Sequence, residues 1–227
     1  MERYFDEELK DLKDKILYMG NRVEIMVQDS LTGFKERQNN ILQKVFEHEK
    51  EVNRLHIEID DLCLKLMALR QPMAADLRFI TGVMKINNNL ERMGDQAVNI
   101  SQNTLELIKH PEYETLLNLD NMSDIVKKMV RGSLDAFVKK DTVLAQEILL
   151  KDDTVDNLKA KIFQELLTKL KNAPSIEVNH IFELILISRN LERIADHATN
   201  ICEDVIFMVL GKDIRHHHTE IDEKPIN

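Results

Sequence analysis

The sequence predicts an all-α protein made of two tandem, pseudo-symmetric three-helix bundles with six long helices. Three observations lead to this prediction. The composition is poor in glycine, proline and aromatic residues, apolar residues recur every three or four positions, and two nearly identical stretches lie 101 residues apart. Six glycines, four prolines and 5% aromatic residues, beside 31% charged residues, are typical of long amphipathic helices rather than sheets.

The first half of the chain contains three segments with helical periodicity. Apolar residues follow three- and four-residue steps over residues 9–34 and again over residues 45–69. Pro72 interrupts the backbone hydrogen-bond ladder after the second segment, and a third segment covers residues 76–107 before a His-Pro pair stops it. We therefore expect three antiparallel helices and a first domain over residues 1–111.

The second half repeats this pattern at a nearly constant offset. Apolar positions of its first two helices stand 103 residues after their counterparts, and those of the third stand 101 residues after theirs. The change places a two-residue length difference in the intervening turn, where loops absorb it at low cost. Pro174 breaks the chain before the last helix, which is expected to fade near Gly211. We expect the second domain over residues 112–211 and a mobile tail over residues 212–227.

Charge and composition argue against several functional classes. The net charge of −9 and the isoelectric point near 5.4 are unlike those of a nucleic-acid-binding protein, which would carry concentrated Lys and Arg. The N-terminal residues lack the basic start and apolar core of a secretion signal. No stretch approaches the roughly 18 apolar residues of a membrane span. We therefore expect a cytoplasmic protein that binds no nucleic acid.

The two repeated stretches carry the same stripe of oxygen donors, Glu-x-x-x-Asp-x-x-x-Asn. Positions i, i+4 and i+8 of a helix lie roughly along one face. Like charges at i and i+4 destabilise an isolated helix by about 0.2–0.5 kcal/mol, whereas a bound cation would make their convergence favourable. A single stripe would be explained most simply as a solvated helix face. Two stripes in matched positions favour a metal site.

The second helix of each repeat supplies further oxygen atoms. Asp152 and Asp156 are four residues apart, and Glu49 and Asn53 stand at the corresponding positions of the first repeat. Helices in a bundle lie about 8–10 Å apart, so side chains of two helices can converge on one ion. Carboxylates and amides suit hard cations such as Mg²⁺, Ca²⁺, Mn²⁺ or oxidised iron. The predicted metal ligands are Glu91, Asp95, Asn99, Glu192, Asp196, Asn200, Asp152, Asp156, Glu49 and Asn53.

Two alternatives remain open from the residues: a purely structural helical scaffold, and a metal-dependent, di-iron-like helical oxidase. A di-iron carboxylate bundle needs two Glu-x-x-His pairs and two further Glu residues, and this sequence has only the pair Glu177 and His180. It also contains no Walker motif, nucleophile elbow or metalloprotease helix. We therefore predict a protein that is not an enzyme and that uses no organic cofactor.

The segments LERMGD-AVNI and LERIAD-ATNI, together with RQPMAADLR, resemble the PhoU family of phosphate-transport accessory and signalling proteins. The resemblance covers roughly residues 9–208. It implies two three-helix repeats, E/D-x-x-x-D motifs on the helices, and metal ions as cofactors, either as iron clusters or with Mg, Ca, Mn or Zn in place of iron. Asn53 departs from the motif because an amide replaces the second carboxylate, so unequal occupancy of the two sites is expected.

The resemblance also implies a regulator that acts by protein contact and damps the phosphate-starvation response when phosphate is plentiful. Its expected partners are the ATPase subunit of the phosphate ABC importer and the phosphate-sensing histidine kinase, with the membrane reached only through them. Long amphipathic faces leave room for a homodimer. We expect the turn between helices two and three to serve as a docking surface, although its residues suit capping and turn formation equally well. These residues are Arg70, Gln71, Asp76 and Arg78.

Overall fold

The computed structural model describes residues 2–109, 116–171 and 175–214, without the side chains of residues 2–3 and 175–177. These ranges contain seven α-helices and no β-strand, so the predicted all-α class is confirmed. The helices are α1 (Glu2–Glu36), α2 (Asn39–Arg70), α3 (Ala74–Leu107), α4 (Leu117–Lys139), α5 (Thr142–Leu149), α6 (Asp152–Leu170) and α7 (Ser175–Leu210).

The predicted boundary between the two domains, at residues 111–112, lies outside the described residues, as do residues 215–227 of the predicted tail. Ile214, at the end of the last described range, is buried. The division of the chain into separate domains and the mobility of the tail therefore stay predictions.

Helices α1, α2 and α3 pack against one another as a first bundle. Their apolar residues at three- and four-residue spacing face the centre, because a helix places such positions on one side. The predicted stop at Pro72 is confirmed: α2 ends at Arg70, Gln71 adopts a left-handed conformation with φ of 48°, and α3 begins at Ala74. Fully buried side chains of this bundle include Leu12, Met19, Met26, Leu42, Ile59, Leu66, Ile80, Ile86, Leu90 and Met93.

Helices α4 to α7 form the second bundle, which differs from the first at one point. The counterpart of α2 consists of two helices, α5 and α6, separated by a turn at Leu150 and Lys151. The N–H of Lys151 donates to the carbonyl of Ile148 at 3.0 Å, which tightens the end of α5. Asp152 and Asp153 then begin α6, where the positive end of the helix dipole favours acidic side chains.

The two bundles are joined mainly by α3 and α7, which pack antiparallel along their length. Lys85 Nζ lies 3.2 Å from Asp204 Oδ1 across this interface, and one turn further along, Asn200 Nδ2 donates to Asn89 Oδ1 at 3.3 Å. At the other side of the ion pair, Gly82 leaves the space that the side chain of Met208 fills. The interface is therefore a long helix pair with polar contacts inside it.

Among the helices of the described ranges, none is both long and apolar enough to cross a bilayer. Cys63 and Cys202 are both free and buried. Removal from water raises the pKa of each thiol to about 12, so neither is a thiolate near neutral pH.

Candidate functional site

The acidic residues of the second repeat lie beside a groove between α6 and α7. This α6–α7 groove has a volume of about 720 Å³. Lys159 of α6 crosses it and donates from Nζ to Glu192 Oε1 of α7 at 2.6 Å. Because the two helices are antiparallel, Asp156 and Asp196 both lie on the same side of that ion pair. The structure therefore brings two of the predicted ligands, Asp156 of α6 and Asp196 of α7, to one end of the groove.

The electrostatics of this end of the groove show how close the carboxylates are to one another. Partial removal from water, followed by the negative charges of Glu192, Asp152 and Asp156, raises the pKa of Asp196 from its ordinary value near 3.8 to about 6. The ammonium group of Lys159 acts in the opposite direction but does not cancel the effect. A cation placed among these oxygens would relieve the repulsion.

The carboxylates nevertheless do not form a ready coordination shell. Within residues 2–109, 116–171 and 175–214, no group of three or more His, Cys, Asp or Glu side chains is arranged closely enough to hold one ion. Glu192 is 19% exposed and is held by Lys159. The donor chemistry of this end of the groove suits a hard cation, but binding would require side-chain rotations. The metal site therefore stays a prediction.

The acidic stripe of the first repeat has a different environment. Arg92 lies between Glu91 and Asp95, with Nε 3.5 Å from Glu91 Oε2 and Nη1 3.7 Å from Asp95 Oδ2. These separations are long, and the arginine side chain is 62% exposed, so the pairs hold the two carboxylates weakly. On α2, Glu49 is half-buried and Asn53 is exposed. The two repeats thus offer unequal surroundings to a cation.

The third position of the second-repeat stripe has another role. Asn200 donates to Asn89 of α3, so this side chain faces the interface between the repeats and not the α6–α7 groove. His197 Nδ1 also lies 3.1 Å from Asn89 Oδ1. Burial, followed by the positive charges of Arg92 and Arg193, lowers the pKa of His197 to about 4. Asn99, the counterpart of Asn200, is half-buried on α3.

The predicted docking residues lie at and beside the turn between α2 and α3. Arg70 makes a bidentate ion pair with Glu8 of α1, with N–O distances of 2.8 and 3.0 Å, so it ties two helices together. Gln71 ends α2 in the left-handed conformation, and Asp76 lies in the first turn of α3. Arg78 packs beside Gly211, the residue that follows α7. Arg70 and Gln71 therefore have structural roles, whereas Asp76 and Arg78 are half-buried at the surface.

His180, half of the pair that suggested an oxidase, is buried on α7, and the side chain of Glu177 is outside the described ones. The predicted metal stripes lie further along the same helix, near residues 192–200. The histidine and the stripes therefore do not share one location.

Lys159 and Phe163 belong to the groove but were not among the predicted site residues. The first repeat carries His56 and Asp60 at the corresponding positions. There, His56 Nε2 lies 3.7 Å from Asp60 Oδ2 within α2. In an otherwise regular repeat, these two positions carry different types of residue in the two halves. This difference is the sequence signal that could have identified the two groove residues.

Comparison with known proteins gives a consistent result. A family profile described as the PhoU domain matches residues 16–104 and again residues 119–205. The phosphate-specific transport system accessory protein PhoU homolog of Pseudomonas putida is 36% identical over 213 residues, which is 93% of this chain and 83% of that protein. The phosphate-specific transport system accessory protein PhoU of Escherichia coli (strain K12) is 31% identical over 212 residues, covering 93% and 88% of the two chains.

Two crystal structures have the same fold. PhoU from Pseudomonas aeruginosa has a TM-score of 0.89 and 34% identity, and the match covers 92% of this chain and 100% of that one. The phosphate transport system regulatory protein PhoU from Streptococcus pneumoniae has a TM-score of 0.84 and 27% identity, with 92% and 98% covered. With two matched domains over most of its length and relatives above 30% identity, the chain belongs to the PhoU family.

Proposed function

We propose that this protein is a cytoplasmic accessory protein of phosphate import and a negative regulator of the phosphate-starvation response. The observation that supports the proposal is the double PhoU domain, shared over 93% of the chain with proteins named as accessory proteins of the phosphate-specific transport system. Such names describe a role in an assembly, which agrees with a protein that acts by contact and not by catalysis.

The expected contacts are with the ATPase subunit of the phosphate ABC importer and with the phosphate-sensing histidine kinase, and a second copy of the chain is a further expected partner. Long helix faces are suited to helix-in-groove binding. Arg70 is bound to Glu8, which leaves Asp76 and Arg78, half-buried at the start of α3, as the other charged docking candidates. We therefore assign the importer contact to the start of α3.

The regulatory role is tested in a bacterial host that lacks its own PhoU protein. Expression of this chain should restore repression of a phosphate-starvation reporter in phosphate-rich medium. Asp76→Ala with Arg78→Ala should weaken copurification with the importer ATPase subunit by roughly tenfold, as loss of a central interface contact does. Lys44→Ala, at an exposed position of α2, is the matched control. Unchanged reporter activity with the wild-type chain would contradict the regulatory role.

The second part of the proposal is a hard cation bound by the acidic stripes. In the second repeat it would be held by Asp152, Asp156, Glu192 and Asp196; partial burial, followed by the charges of the other three, raises the pKa of Asp196. In the first repeat, Glu91 and Asp95 would hold it with Glu49 and Asn53. The cation would supply positive charge that draws the ligating carboxylates of neighbouring helices together. Because Asn53 is uncharged, the second repeat should bind more tightly. The ligand sets contain Asp152, Asp156, Glu192 and Asp196 in one repeat and Glu49, Asn53, Glu91 and Asp95 in the other.

Elemental analysis of protein purified without an affinity tag tests the metal proposal. Metal should be retained in proportion to protein, Asp196→Ala should remove the larger share, and Asp95→Ala the smaller. Asp153→Ala, which removes an exposed carboxylate at the start of α6, should change nothing. All variants should carry alanine at His216, His217 and His218, so that the tail cannot bind metal. A purely structural scaffold predicts instead no retained metal and a melting temperature that is indifferent to chelators.

A further inference from the structure

The second repeat exposes aromatic side chains where the first repeat is polar. Phe163 of α6 is 42% exposed and Phe182 of α7 is 59% exposed. The residues at the corresponding positions of the first repeat are Asp60 and Thr81. Burying two phenylalanines would be favourable in a contact, because each carries a large apolar surface. Exposed aromatic residues grouped on one face are typical of an interaction surface.

One of these aromatic residues, Phe163, lines the α6–α7 groove. Phe163 and Ile185 line the apolar end, and Asp156 and Asp196 line the acidic end. Phe182 precedes Ile185 by three residues, so it extends the apolar end along α7. Phe163 and Asp156 are seven residues apart on one helix, which corresponds to two turns, or about 10 Å. The groove thus changes from apolar to acidic over the length of a short helix.

The charged side chains between the two ends of the groove also determine which ligand would fit it. Lys159 is neutralised by Glu192, to which it donates a hydrogen bond at 2.6 Å. Arg189 and Arg193 line the groove as well, and both are exposed. A ligand that fits this surface therefore needs an apolar group at one end, an acidic group near Arg189, and basic groups opposite Asp156.

We propose that the α6–α7 groove, when no cation occupies its acidic end, binds an amphipathic helix of a partner protein, which places an apolar side chain against Phe163 and Phe182 and its Lys or Arg side chains opposite Asp156 and Asp196. Charge complementarity selects this occupant. Positions i, i+4, i+7 and i+11 of a helix share one face, so a partner helix can present four side chains in a row. The groove presents apolar, basic and acidic surface in that order along its length. The inference rests on the proposed role as a protein that acts by contact, and it names the chemistry of one partner segment.

A synthetic peptide tests this proposal with the full-length protein. The probe is a fluorescein-labelled, alanine-based helix with Leu at position i, Glu at i+4, Lys at i+7 and Arg at i+11. The control peptide has the same composition in scrambled order, so it carries the same net charge. Fluorescence anisotropy in the presence of EDTA should show the patterned peptide binding at least tenfold more tightly than the scrambled one.

Variants locate the binding surface. Phe163→Asp and Phe182→Thr, which introduce the residues of the first repeat, should each weaken peptide binding at least tenfold. Asp156→Asn should weaken it and reduce its dependence on salt concentration, since one ionic contact is lost. Ile57→Thr is the matched control, because this side chain is 63% exposed on the corresponding face of the first repeat. Circular dichroism should show the same helix content for every variant.

Four results would overturn the proposal. One is equal binding of the patterned and scrambled peptides, and another is equal weakening by Ile57→Thr and Phe182→Thr. The third is sedimentation showing that Phe163→Asp dissociates a dimer of the free protein, since the groove would then be the contact between two copies. Failure of the peptide to bind while the reporter assay still shows repression overturns this inference alone. Peptide binding without repression would instead contradict the proposed regulatory role.

Discussion

Replacing Leu90 by alanine should lower the free energy of unfolding by about 2–5 kcal/mol, because the leucine is fully buried and the surrounding helices cannot close the cavity completely. Leu191, its counterpart on α7, is also fully buried, and Leu191→Ala should cost a similar amount. Leu150→Ala, at an exposed position of the turn between α5 and α6, is the control and should change stability by less than about 0.5 kcal/mol.

The shape of the unfolding transition in these variants is as informative as its midpoint. Because α3 and α7 pack along their length, unfolding one bundle would expose the face on which the other packs. We therefore expect a single urea transition, followed by circular dichroism, that shifts as a whole in Leu90→Ala and in Leu191→Ala. Two transitions, of which each variant shifts only one, would show that the repeats unfold as separate domains.

Replacing His197 by glutamine should make the stability of the protein less sensitive to acid. Between pH 7 and pH 4, the free energy of unfolding should fall by about 3 kcal/mol less in His197→Gln than in the wild-type protein. The pKa of His197 is lowered from 6.5 to about 4 in the folded protein. Below pH 6.5 the unfolded chain binds a proton at this residue and the folded chain does not. The wild-type protein therefore loses stability as the pH falls from 6.5, and the loss is complete near pH 4.

The surroundings of His197 explain this expectation. The ring is partly buried between α3 and α7, and Arg92 and Arg193 oppose its protonation from both helices. Its Nδ1 lies within hydrogen-bonding distance of Asn89 Oδ1. Glutamine can keep a hydrogen bond to that oxygen without titrating, and Gln96 occupies the corresponding position of the first repeat.

Urea denaturation at pH 7, 5.5 and 4 measures the effect, with His48→Gln on α2 as the control variant. The raised pKa of Asp196 acts in the opposite direction, since this carboxyl takes up its proton first in the folded chain. It is present in both proteins, so it cancels in the difference between wild type and His197→Gln. Parallel stability curves for these two proteins would show that the histidine titrates normally.

The helices were predictable because the information that specifies them is local. Apolar residues at three- and four-residue steps mark the buried face of each helix, and Pro72 marks the end of α2. The break between α5 and α6 was not predicted. Ile148 and Val155, on either side of it, are seven residues apart, so the helical pattern continues across the turn. Only the acidic residues that begin α6 indicate that a new helix starts there.

The functional surface was predictable only in part. The stripes do lie on α3 and α7, and the charges of Asp152, Asp156 and Glu192 act on Asp196 as their common location requires. The ion pair of Lys159 with Glu192 was missed, and Asn200 faces Asn89 instead of the groove. Spacing along one helix specifies a face, but α7 has several neighbouring helices, and the sequence does not state which neighbour meets that face.

The sequence by itself therefore determined the helical class, the duplication and the positions of the acidic residues along each helix, because these depend on periodicity and residue type. The tertiary structure decided which side chains meet across helices. It paired Arg70 with Glu8, brought His197 under the influence of the charges of Arg92 and Arg193, and left Phe163 exposed at the apolar end of the α6–α7 groove. The physical reason is that packing of antiparallel helices joins residues distant in the chain, and the charge and burial of each depend on those partners.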